Sequence, residues 1–210
     1  MKSLKNIILG LSCVSAVVLT GCIDETLPTY QATDEQLSSS SKATEALLWA
    51  MPAFANNYKT VDGGDYDWGY GSLMHIRDVM TDEMVIIESG YDHYSAWEHN
   101  QYIGPNYLST QFIWNYFWKF VQTTNNMIGA INPESASETQ LGYLGAAYGY
   151  RAFIYLDMAR MFEFLENDGT SPTNSSGNNV LNLTVPIVTE EVTEEAARNN
   201  PRVNRQEMYE

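Results

Sequence analysis

The stretch from Glu138 to Glu163, ETQLGYLGAAYGYRAFIYLDMARMFE, constrains this chain more than any other. Leu141, Leu144, Tyr148, Ala152, Tyr155, Leu156 and Ala159 recur at steps of three and four, the period of a helix face. Ser137 and Gln140 stand at S-x-x-Q spacing, where a hydroxyl caps the helix start and the amide reaches back. Gly142, Gly145, Ala146, Ala147 and Gly149 crowd the first half. A glycine costs about 1 kcal/mol against alanine in a helix interior, which is tolerable where another helix must come close. The expectation is a buried helix with neighbours on more than one side.

Its first neighbour is expected just upstream, over Gln111 to Ile131. The opening turns, FIWNYFWKF, are aromatic nearly all round, as suits a helix packed on most of its circumference. Asn132-Pro133 ends it, because proline cannot continue the hydrogen-bond ladder and the preceding residue avoids helical geometry. The short connection to Ser137 favours an antiparallel pair. Ala152, Leu156 and Ala159 also match the small-large-small spacing of a tetratricopeptide second helix, although no such repeat recurs along the chain.

At the chain start, Lys2 and Lys5 precede an apolar run from Ile7 to Leu19, then Leu19-Thr20-Gly21-Cys22. A basic end, a short apolar core and small residues before a cut site describe a secretory signal over residues 1–21. The run is shorter than the roughly 20 apolar residues that span a bilayer. Leu-Thr-Gly-Cys resembles the bacterial lipobox, whose cysteine thiol receives a diacylglycerol and becomes the mature N-terminus. An ordinary signal peptide with a chance cysteine is the plainer alternative. Two acyl signals would give stable attachment. Asp24 and Glu25 resemble the acidic export tag of surface lipoproteins in Bacteroidetes.

Cysteine usage agrees. Cys13 would leave with the signal and Cys22 would carry lipid, so no thiol is left for zinc or nucleophilic chemistry in this segment. The formal net charge is −15, and cleavage would remove two lysines and no acid. Such a chain repels nucleic acid and anionic headgroups and suits neutral or cationic partners. Residues 22–41, polar and without apolar period, read as a lipidated tether, with the helical domain over 42–210.

Further along, Ala43, Ala46, Leu47, Ala50 and Phe54 keep helical spacing from Lys42 to Tyr58, with Pro52 expected to kink or split the helix. Gly71 to Met80 predicts a short helix capped by Ser72, with Leu73, Ile76 and Met80 inward. ENDGTSPTNSSGNN after Phe164 is a loop by composition, Val180–Val188 a short strand or extended segment broken by Pro186. RVNRQEMYE begins another helix, and its abrupt end suggests that the chain is truncated.

Residues 66–107 hold Tyr66, Trp68, Tyr70, Tyr91, Tyr94, Trp97, Tyr102 and Tyr107 with His75, His93 and His99. GYDHYSAWEHNQY has no helical stripe, so some of these rings belong to a loop. Exposed rings suit a carbohydrate binder, because a pyranose stacks its C–H face on them while Asn, Asp, Glu and Arg take the hydroxyls. Core filling beneath the loop competes with this for every single ring. Asp82-Glu83 is a poor hydrolytic pair, since adjacent side chains diverge and glycosidase carboxylates must face each other about 5–10 Å apart. Asp62, Asp65 and Asp67 in DGGDYD lack calcium-loop spacing, and His93 and His99 share no evident helix. No phosphate-binding glycine loop and no G-x-S-x-G occurs. No catalytic residue, metal or cofactor is therefore assigned.

In order along the chain come Leu-Thr-Gly-Cys22, GYGSLMHIRDVMTDEMV at 69–85, and Trp114…Phe117…Val121…Asn125…Ile128. Arg151-Ala152 within YRAFIYLDMARMF, Val185-Pro186-Ile187-Val188 and Asn200-Pro201-Arg202 follow. Together they resemble the N-terminal part of the SusD/RagB family, outer-membrane lipoproteins that bind nutrients, chiefly glycans, beside a SusC-like TonB-dependent transporter. Phe162-Glu163 departs from the family, where a glycine often ends the helix. The resemblance implies a mainly α fold of tetratricopeptide-like helix pairs, an α-α superhelix with irregular loops, and a binding protein rather than an enzyme. Expected partners are that transporter, an oligosaccharide and the outer membrane through the lipid, with no nucleic acid. Trp97 and Asn100 are the expected ring-stacking and hydroxyl contacts, with Arg77 and Tyr94 next. Arg151 is expected to tie helices together. A surface enzyme with its catalytic half elsewhere and a helical scaffold without a small ligand remain the alternatives.

Overall fold

The computed structural model describes residue 36 and residues 40–210, except 58, 60, 62–63, 65, 88–92, 96, 101–102, 105 and 168 and the side chain of 99. The signal, Cys22, most of the tether and Asp62 and Asp65 lie outside the described residues. Helix α1 (Ser41–Asn56) starts at Ser40, whose hydroxyl accepts the Ala43 N–H at 3.4 Å. Helical order thus begins one residue inside the expected tether. Pro52 sits within α1 without splitting it.

Helix α2 (Tyr70–Val79) leaves Gly69, whose φ is 75°. A Cβ there would stand 2.2 Å from the Ala55 carbonyl oxygen, so only glycine lets α2 begin this close to the end of α1. Ser72 is not the cap: it lies buried within the first turn. Its hydroxyl donates to the Tyr66 carbonyl and sits 3.2 Å from the Tyr94 hydroxyl. Leu73, Ile76 and Val79 form the inward face.

Helices α3 (Leu108–Gly129) and α4 (Glu138–Phe162) form the expected pair, and α1 packs on both. The Ser137 hydroxyl accepts the Gln140 N–H at 3.3 Å and the Gln140 amide oxygen accepts the Ser137 N–H at 3.0 Å, completing the capping box. Phe112, Tyr116, Phe117 and Phe120 of α3 are buried against Met51, Ile154 and Met158 in one apolar core.

The buried face of α4 is not the expected stripe. Leu144, Ala147, Ile154, Tyr155, Met158 and Ala159 are buried, whereas Leu141 and Tyr148 are exposed. A Cβ added at Gly142, Gly145 or Gly149 would meet nothing within 4 Å. The glycines therefore line an open face and not a close helix crossing. With apolar residues on every side of α4, its period alone does not select which side turns inward.

After Phe162 the chain forms a loop and then an extended segment, held by isolated bridges Phe164–Leu181 and Leu183–Asn204. Among the described residues 180–188 form no strand. Helix α5 (Glu194–Arg198) was not foreseen; it is capped by Thr193. Helix α6 (Arg205–Tyr209) carries a second capping box, Asn204 with Glu207, and packs on α4. The described residues make a mainly helical body.

Candidate functional site

Of the residues expected to contact ligand, Trp97 is a core ring, fully buried. Tyr66 meets it edge-on at 4.8 Å and Tyr94 lies at 6.0 Å. Tyr66 in turn packs edge-on against Phe112 of α3 at 5.1 Å. The aromatic loop thus covers the start of α3 with its own rings, and core filling takes Trp97 away from solvent. This corrects the expectation of an exposed stacking platform at that position.

Asn100 ends the single 3-10 turn Glu98–Asn100 and is exposed. Its φ of 54° places it in the left-handed region, which asparagine tolerates better than most residues. It borders an open cleft of about 470 Å³ whose lining includes Met80, Thr81, Asp82, Met84 and Glu98. Tyr94 is half-buried, with His75 edge-on to its ring at 4.3 Å. Arg77 is spoken for: its guanidinium meets Asp157 of α4 at 2.6 Å, and the Tyr70 hydroxyl donates to the same carboxylate oxygen at 2.9 Å. Burial, then the neighbouring Asp157 carboxylate, push the Tyr70 phenol above its ordinary pKa. The four expected residues are therefore one exposed cleft residue, one core ring and two packing groups.

A second groove lies on α3. Trp118, Gln122 and Asn126 follow one another at i, i+4 and i+8, so they stack along one side of the helix about 6 Å apart. With Leu47, Asn125, Gly129, Val188, Thr189 and Glu190 they line a groove of about 610 Å³. Gln122 and Asn126 are exposed, and neither side chain has a hydrogen-bond partner among the described residues. That spacing is present in the sequence, where it runs from the aromatic opening turns into the more polar second half of the helix.

The far wall of this groove, residues 188–190, is fixed from below. The Tyr155 hydroxyl donates to the Val188 carbonyl at 2.9 Å and accepts the Val188 N–H at 2.8 Å. Asn125 donates to the same carbonyl at 3.0 Å, and Arg151 reaches the Asn125 amide oxygen at 2.9 Å and the Glu190 carboxylate. Arg151 ties α4 to α3 and to the extended segment, as expected. Burial is the main cause that raises the Tyr155 phenol pKa.

Arg202 donates to the Thr184 carbonyl at 2.6 Å and lies over the Trp114 ring at 5.7 Å; burial lowers its pKa. Four of the residues carrying the family resemblance, Asn125, Arg151, Val188 and Arg202, are therefore joints of the body. Among the described residues no group of three or more His, Cys, Asp or Glu side chains is placed to hold a metal ion. Comparisons with protein-family models, with curated proteins and with solved structures find no match to this chain.

Proposed function

We propose that this chain is the N-terminal part of a SusD-like surface lipoprotein, a tetratricopeptide-like superhelix that binds oligosaccharide nutrients and passes them to a SusC-like TonB-dependent transporter. It is held to the outer membrane through lipid on Cys22, and it breaks no bonds. The observation carrying the reading is the cleft at Asn100. There an exposed carboxamide in left-handed geometry stands beside the Glu98 and Asp82 carboxylates, the Thr81 hydroxyl and the Met80 and Met84 side chains. Carboxamides, carboxylates and hydroxyls meet sugar hydroxyls as both donors and acceptors, and apolar side chains cover C–H groups. Charge supports a neutral ligand, since a chain at −15 repels polyanions.

The test is calorimetric titration of the chain carrying Cys22→Ser with neutral hexasaccharides, alongside Asn100→Ala. Binding that weakens about tenfold in the variant, at unchanged melting temperature, supports the reading, the loss being of the size expected for one or two hydrogen bonds. No heat with any neutral glycan, together with capture of a protein partner, would favour the scaffold. Hydrolysis of the glycan would favour the enzyme.

A further inference from the structure

We infer that the groove along α3 is a second binding subsite, for a neutral oligosaccharide segment; this rests on the glycan-binding reading but concerns different residues. Trp118, Gln122 and Asn126 line it turn by turn, and Glu190, its carboxylate held by Arg151, belongs to the same lining. A helical turn advances about 5.4 Å, so the ring and the two amides follow a linear ligand laid along the helix.

The chemistry selects the ligand class. A carboxamide donates and accepts at once, which is what a hydroxyl requires, and the Gln122 and Asn126 amides have no hydrogen-bond partner among the described residues. The indole offers an apolar wall for a sugar's C–H face. Arg151, at the base of the 188–190 wall, is already paired with Glu190 and Asn125, and Lys119 lines the adjoining cleft beside Trp118 and Gln122. Among the described residues no lysine or arginine lines the groove, and its one acid, Glu190, already holds Arg151, so the lining gives an anionic ligand no free counter-charge.

The groove is also held in shape before any ligand arrives. Its outer wall hangs on the paired Tyr155–Val188 hydrogen bonds and the Asn125–Val188 bond. Supporting contacts of this kind keep contact groups in register and lower the ordering cost of binding. Gly129 keeps the end of the groove open: a Cβ there would come no nearer than 3.6 Å, to the Glu190 Cβ. A large side chain at 129 can therefore fill the groove without entering the core.

The experiment uses the chain with Cys22→Ser, isotopically labelled so that the side-chain amides of Gln122 and Asn126 are followed by NMR during titration with neutral hexasaccharides. Those resonances are expected to shift. Gln122→Ala/Asn126→Ala is expected to weaken binding at this subsite about tenfold or more, two hydrogen bonds' worth. Gly129→Leu is expected to remove it, with the melting temperature kept in both variants. If a hexasaccharide gives heat sensitive to Asn100→Ala while the two amides stay unmoved and the double variant binds fully, the subsite is refuted and glycan binding stands. If no neutral hexasaccharide binds at all, both fail. If only an extended peptide shifts the amides, the groove is a peptide site and the inference is overturned.

Discussion

The hydroxyl of Tyr155 meets both backbone groups of Val188, at 2.9 and 2.8 Å, whereas the hydroxyl of Tyr116 is buried with no partner among the described residues. Removing each oxygen should thus act differently. Tyr155→Phe leaves the Val188 N–H without its acceptor, while the Val188 carbonyl keeps Asn125, so a loss of about 1–3 kcal/mol is expected. Tyr116→Phe removes a group already without a partner and should change stability by about 0.5 kcal/mol or less, or raise it. Chemical denaturation at neutral pH measures both. Burial raises the pKa of both phenols, and of Tyr70. A raised folded-state pKa gives stability that is complete below the ordinary tyrosine value of about 10 and is lost as pH climbs through the folded value. The unfolded chain ionises first, so the melting temperature should fall above about pH 10. Tyr116→Phe should blunt that fall; an unchanged alkaline slope would show that its burial is not felt.

Helix α4 carries the next test. Gly142, Gly145 and Gly149 sit inside a regular helix with open space where a Cβ would go. Alanine at all three should stabilise the chain by roughly 0.5–1 kcal/mol per site, through the lower entropy of the unfolded state. A drop in melting temperature would mean that a neighbour needs the room on that face. The same helix shows what the sequence could and could not disclose. Its start was legible because Ser137 and Gln140 encode the capping box locally, and the α3–α4 pairing because Pro133 and a short connection permit little else. Its orientation was not legible, since the exposed Leu141 and Phe153 are as apolar as the buried Leu144 and Ile154. Trp97 and Asn100 diverged for a related reason. They are three residues apart in a loop without period, and it is Tyr66, arriving from elsewhere and itself packed on Phe112, that covers Trp97 together with the loop's own Tyr94.

For the molecule as a whole, charge and anchoring act against each other. At −15 the chain is repelled by anionic headgroups, and among the described residues no helix is long and apolar enough to cross a membrane. On the proposed reading, attachment therefore depends on the acyl chains at Cys22, each contributing about 0.8 kcal/mol per buried methylene. Cys22→Ser should then abolish incorporation of labelled palmitate. In a chain whose residues 1–21 are removed by a cleavage that does not need the lipid, it should also move the protein from the membrane fraction to the soluble fraction at every ionic strength tried, because only repulsion is then left. Retention of the variant on membranes in low salt, with release in high salt, would instead reveal a cationic contact that this acidic composition argues against. Retention at all salts would locate the anchor somewhere other than Cys22.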